Sequence, residues 1–246
     1  MPSSSTRKAD HVLATVRKLL AKAEDPAATP QEAEIYNAKA SDLMADYGID
    51  RALLAAADPD SDAVGDRVVV TEAPYARDKA TLLSGIAHEM RCRAVLRTRY
   101  PEGMKELSLH LFGYDSDLLR TEVLYTSLLV QASVGMARAP VPFGEQVAAF
   151  RRSWLAGFTH AVVQRLAAAE RRAAEQADSG STASAGAHGR SVALVLADRS
   201  VAVADTLSRR YPRLQTGRRR VLSGSGMADG WTAGQQAVIG GRTLDA

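Results

Sequence analysis

With 246 residues, 46% of them hydrophobic and 24% charged, the chain has material for one large or two modest cored domains. A net charge of +3, one cysteine and no run of about 18 apolar residues exclude an intramolecular disulfide framework, a zinc site of four cysteines from one chain and a transmembrane helix. The N-terminal MPSSSTRKAD lacks the apolar core of a secretory signal, so a cytoplasmic protein with no membrane partner is the default expectation.

The first 50 residues read as a helical hairpin. Val12, Val16, Leu19, Leu20 and Ala23 recur at helical spacing, which predicts a helix from about Arg7 to Glu24, stopped by Asp25-Pro26. Thr29-Pro30-Gln31-Glu32 is a capping box with proline at the first helical position. The second helix carries Tyr36, Ala40, Leu43, Met44 and Tyr47 as one stripe, and Gly48 is the expected C-terminal cap. A short helix at Arg51–Ala57 and a linker at Asp58–Gly65 follow, which sets the boundaries of a hairpin domain at 1–57 and an α+β domain at 66–246.

The middle of the chain has a β-α-β-β order. Arg67–Glu72 is a valine-rich strand, Asp78–Met90 a helix with Leu82, Leu83, Ile86 and Met90 on one face, and Cys92–Tyr100 and Leu107–Phe112 a hairpin about Pro101-Glu102-Gly103. In the last strand Leu107, Leu109 and Leu111 share one face, and Ser108, His110 and Phe112 the other. Two long helices come next, one capped by Asp115 or Ser116 and reaching Arg138, the other from about Gly144 to Ala177. DSGSTASAGAHGR at 178–190 is low-complexity and expected to be a flexible insertion. The chain closes with a helix over Val192–Tyr211, a basic patch at Arg218–Arg220 and a glycine-rich stretch leading into a short helix near Gly230–Ile239. The sum is an α+β, mostly helical fold.

The hairpin resembles a bacterial and phage family, one of the catalogued domains of unknown function. The residues that carry the resemblance are VRKLLAKA at Val16–Ala23, the Pro/Thr-containing turn and ASDLMADYGI at Ala40–Ile49. GYDSDLLRTEVLYTSLLVQA at Gly113–Ala132 and FRRSWLAGF at Phe150–Phe158 are similar to the region that accompanies this hairpin. The resemblance implies an architecture and a bacterial or phage setting, and no reaction.

Three sets of residues invite a functional reading. His88-Glu89-Met90-Arg91-Cys92 is a degenerate HExxH motif with cysteine in the last place, and ligands at i and i+4 share a helix face. With His110 as a third ligand, His88 and Cys92 would hold zinc for a hydrolase; the plainer reading is a solvent-facing histidine beside a small buried thiol. Arg151 and Arg165 fall inside the apolar arc of Phe150, Trp154, Phe158, Ala161, Val162 and Leu166, while Arg152, Ser153, His160 and Gln164 lie on the other side. A desolvated arginine needs a partner, either a carboxylate such as Asp117 or Glu122 or a bound anion.

The third set is Arg218, Arg219 and Arg220 in GRRRVLSGSGMADG, which fits neither a P-loop nor a dinucleotide fingerprint. Glycines beside three arginines still suit a nucleic-acid backbone. The plainer reading is a soluble loop. Charge leans the same way: Lys plus Arg against Asp plus Glu is 7 against 10 over residues 1–60, 10 against 10 over 61–140 and 14 against 8 over 141–246. All 14 cations of the last segment are arginine, the side chain suited to bidentate phosphate contacts, although arginine-rich coding alone also produces such a bias. The expectation is a non-enzymatic interaction protein that engages nucleic acid through the C-terminal part. A protein–protein adaptor using the N-terminal hairpin and a zinc-dependent hydrolase are the alternatives.

Overall fold

The computed structural model describes residues 29–183, 191–215, 217 and 220–237, together with residues 11, 12, 14–16, 18, 19, 21, 22, 25 and 27. The described chain gathers into two compact units. One takes residues up to 62 and residues 165–197, the other residues 63–164 and 198–237.

In the first unit the described residues between 11 and 22 are helical, and Val16 is fully buried. The capping box forms as expected: Glu32 N–H donates to Thr29 Oγ1 at 3.3 Å and Thr29 N–H to Glu32 Oε2 at 3.0 Å. It opens α1 (Pro30–Ala57), which bears Ala40, Met44 and Tyr47 on its buried side. Lys22 Nζ lies 5.4 Å from the centre of the Tyr36 ring, which ties the two arms of the hairpin together.

Gly48 does not end the helix. The stripe continues through buried Ile49 and Ala52, so burial overrides the roughly 1 kcal/mol that an interior glycine costs. The helix stops instead at Asp58, whose N–H bonds Leu54 O at 2.8 Å. Ala45 and Ile49 of α1 form a small core with Ala173 of α4 (Val147–Ala183) and Val192 of α5 (Val192–Arg210). The low-complexity segment is therefore helical over 178–183, and Asp178 Oδ1 accepts the Val192 N–H at 2.7 Å. Residues 184–190 lie outside the described residues.

The second unit is built on three strands: β1 (Val64–Thr71), β2 (Arg93–Arg99) and β3 (Glu106–Tyr114). The order is β1-β3-β2, with β3 antiparallel to both neighbours, so β3 splits the β1–β2 crossover made by α2 (Ala76–Glu89). Leu109 stands between Val69 and Leu96, and His110 between Val68 and Val95. Leu109 and Leu111 are buried, but so are Ser108, His110 and Phe112, so the central strand is covered on both faces. Leu82, Leu83 and Ile86 pack α2 onto the sheet, and α3 (Asp115–Arg138) lies beside it. No side chain caps α3; Tyr114 holds the capping position and Asp115 and Asp117 sit in the first turn.

The glycine-rich stretch has a packing role. α6 (Met227–Gln236) lies against α4 so closely that a Cβ at Gly226, Gly230 or Gly234 would press on Phe150 O, Trp154 O and Phe158 O in turn. A Cβ at Gly157 of α4 would meet Met227 O from the other side. Ser153, expected on the polar side of α4, is buried one turn before Gly157. Gly230→Ala is expected to destabilise the fold by about 1–3 kcal/mol or more through overpacking. Gly217→Ala, where nothing lies within 4 Å of the added carbon, should leave the midpoint of chemical denaturation nearly unchanged.

Candidate functional site

Three constellations in the second unit carry chemistry-bearing residues. The most buried centres on Asp117, which is 1% exposed. Its Oδ1 accepts from Arg91 at 3.1 Å and Arg120 at 3.2 Å, and its Oδ2 from Arg199 at 3.0 Å. Arg199 also reaches Ser116 Oγ at 3.3 Å and lies 3.6 Å over the Tyr114 ring. Burial pushes the Asp117 carboxyl up, but the charges of Arg91, Arg120 and Arg199 together outweigh it and hold the group below its usual range. The site lies in the first turn of α3, where the helix dipole favours an anion as well.

This arrangement corrects the expected partnership of Arg151. Asp117 is taken by three other arginines, and Glu122 by Arg67. Arg151 is half-buried, and its Nε has no hydrogen-bond partner among the described residues. Burial pushes the Arg165 guanidinium down to about 10, still charged at neutral pH.

The expected metal ligands do not converge. Arg91 takes a left-handed conformation at φ 61°, which ends the helical spacing before Cys92. Cys92 is 0% exposed, with Sγ 3.6 Å from Thr121 Oγ1 and seated where a Cβ at Gly113 would collide with it. Burial first, then the Asp117 charge, pushes its thiol up to about 12, so it is protonated and a poor ligand or nucleophile. His88 is exposed and 3.2 Å from Arg93 Nη1. His110 is engaged elsewhere. Among the described residues no group of three or more His, Cys, Asp or Glu side chains could hold a metal ion.

The second constellation is a cleft of about 260 Å³. Arg77, Asp78 and Thr81 of α2 line it, with Leu155, Ala156 and Thr159 of α4 and the extended Arg220 and Leu222. Arg220 pairs with Asp78, and Arg77 is exposed beside it. The basic patch expected at 218–220 thus brings at least Arg220 to a cavity, where it meets a second arginine remote in sequence. Arg218 and Arg219 lie outside the described residues, and Arg151 and Arg165 do not line the cleft.

The third is a hydrogen-bonded chain from Asp66 through His110 to Tyr211, with His110 Nε2 2.6 Å from Asp66 Oδ2 and Nδ1 2.7 Å from the Tyr211 hydroxyl. Phe112 packs on the imidazole at 4.3 Å between ring centres. Sequence reasoning named His110 and missed its partners. The strand alternation placed His110 on one face, but Tyr211 comes from more than a hundred residues later, at the end of α5.

The family described as a protein of unknown function, DUF2786, matches residues 11–51, the hairpin and the turn of helix beyond it. No curated protein and no solved structure matches the chain. The likeness to that family therefore lies outside all three constellations.

Asp117→Asn would keep the shape and leave three guanidiniums without their counter-charge, a change expected to cost about 3–5 kcal/mol by chemical denaturation. Because the folded carboxyl is held below its ordinary value of 3.8, the stability it contributes is complete above that pH and drains away as the pH falls further towards the folded value. A denaturation series in acid should show this decline in the parent and not in Asp117→Asn. Cys92 should resist thiol reagents in the native protein and react fully once unfolded, which a spectrophotometric thiol titration measures.

Proposed function

We propose that the protein is a cytoplasmic interaction protein, from a bacterial or phage setting, that binds nucleic acid through the arginines of its C-terminal part. The observation that carries this reading is the run of exposed arginines at Arg209, Arg210, Arg213 and Arg220, the last of which borders a cleft together with Arg77. Guanidiniums at this density release counterions from a phosphate backbone, and such binding needs charge and reach, not a deep pocket. On the sheet, Arg93, Arg97 and Arg99 alternate onto one face of β2 and extend the supply of positive charge.

The adaptor reading keeps one supporting observation. Ile35 of α1 is 65% exposed, an apolar side chain on the hairpin with room for a partner.

Fluorescence anisotropy with labelled single-stranded and duplex DNA and with RNA tests the main reading. Affinity should fall steeply between low and physiological salt. Arg209/Arg210/Arg213/Arg220→Ala should weaken binding at least about tenfold and flatten the salt slope by about one unit for each phosphate no longer neutralised. Absence of binding to both DNA and RNA at low salt would end this reading.

A further inference from the structure

The Asp66–His110–Tyr211 chain has an order that its chemistry fixes. A carboxylate has only acceptors, so His110 Nε2 must carry the proton that bonds Asp66 at 2.6 Å. In the neutral imidazole Nδ1 is then a lone pair, and the Tyr211 hydroxyl 2.7 Å away must be the donor. The result is a carboxylate that orients an imidazole, and an imidazole that accepts from a hydroxyl. This is the arrangement by which a weak oxygen nucleophile is activated.

The fold holds the three groups firmly. Val68 stands opposite His110, so Asp66, two residues back along β1, shares its face of the sheet. His110 is 3% exposed, wedged against Phe112, with Tyr211 set edge-on to both rings. Tyr211 is fixed at the end of α5 by its N–H bond to Leu207 O at 2.8 Å. It is the part-exposed end of the chain, and its sequence neighbours Arg209, Arg210 and Arg213 are all exposed.

We propose that Tyr211 is a nucleophile toward phosphodiesters, with His110 as its base and Asp66 as a positioning residue. The choice of a phosphodiester rests on the nucleic-acid reading above, because the flanking arginines suit a phosphate anion. In the step, Tyr211 Oη forms a bond to phosphorus, and the bond from phosphorus to the leaving oxygen breaks. The phenol proton passes to His110 Nδ1, and Asp66 stabilises the imidazolium. An alkoxide leaving group takes that proton back; a nitrophenolate departs without it. The product is a phosphotyrosyl diester.

The full chain incubated with the p-nitrophenyl ester of thymidine 5′-phosphate tests the step without requiring a polymer to bind. The expected result is a burst of nitrophenolate approaching one equivalent and a nucleotidyl adduct on the Tyr211 peptide by mass spectrometry. Tyr211→Phe should abolish both. Asp66→Asn, a change at a side chain 57% exposed, should fold with an unaltered melting temperature yet slow the burst about 100-fold or more, because the amide favours the wrong imidazole tautomer. No adduct at saturating ester, an adduct that survives Tyr211→Phe, or a burst unaffected by Asp66→Asn would each overturn the proposal. An adduct without nucleic-acid binding would uphold the chemistry and sink the binding reading; binding without an adduct would do the reverse.

Discussion

Asp117 draws guanidiniums from three places that the chain brings together late: Arg91 from the turn after α2, Arg120 from its own helix, and Arg199 from α5. A buried ion pair is weak evidence of stability, because desolvation offsets much of the attraction. Its force here is that of a constraint. Three cations cannot remain buried without their carboxylate, so the start of α3, the α2–β2 turn and α5 are held to one arrangement. Cys92, Gly113 and Thr121 pack beside that centre, and the left-handed turn at Arg91 delivers both the guanidinium and the buried thiol to it. The same docking of α5 determines where Tyr211, the residue after its end, meets the sheet.

Close backbone contact is the second organising device. α4 presents Gly157 and Ala161 to α6, which answers with Gly230, Gly234 and, at its N-cap, Gly226. Small residues four apart let two helices approach almost backbone to backbone. Trp154 and Phe158, stacked 5.4 Å apart, pack beside that seam. Trp154 also rests where Gly135 of α3 leaves room for its ring. The segment just before α6 continues the contact at Gly224, and Leu222 and Arg220 ahead of it border the cleft.

Local chemistry made much of this legible in advance. The Thr29–Glu32 box, the leucine alternation of β3 and the apolar face of α2 each rest on spacing within a few residues, and each was read correctly. Gly48 misled because a glycine after an apolar stripe signals a stop only when nothing beyond it is buried. Ile49 and Ala52 are buried, and the helix ran on. For HExxC the plainer reading, an exposed histidine beside a buried thiol, matches the structure, because the helical spacing needed for zinc stops at a residue with φ of 61°. The glycines near the C-terminus were read as suited to a nucleic-acid backbone or to a soluble loop, and their packing against α4 stayed hidden, since sequence cannot tell a glycine needed for an anion from one needed for a neighbouring helix. The Asp117 cluster and the Asp66–His110–Tyr211 chain were illegible for a simpler reason. Apart from Arg120, three residues from Asp117 on the same helix, their members lie tens to more than a hundred residues apart, and only tertiary packing brings them together.

The small core of the first unit has a consequence for the order in which the chain acquires structure. Ala45 and Ile49 find their cover in Ala173 and Val192. On a ribosome adding about 5–20 residues per second, the hairpin emerges on the order of ten seconds before its partners. Through that interval its apolar side is open to solvent, to chaperones or to another nascent chain. The closing contact must also bear the entropy of a long loop. The segment most recognisable by sequence thus waits for partners made more than a hundred residues after it.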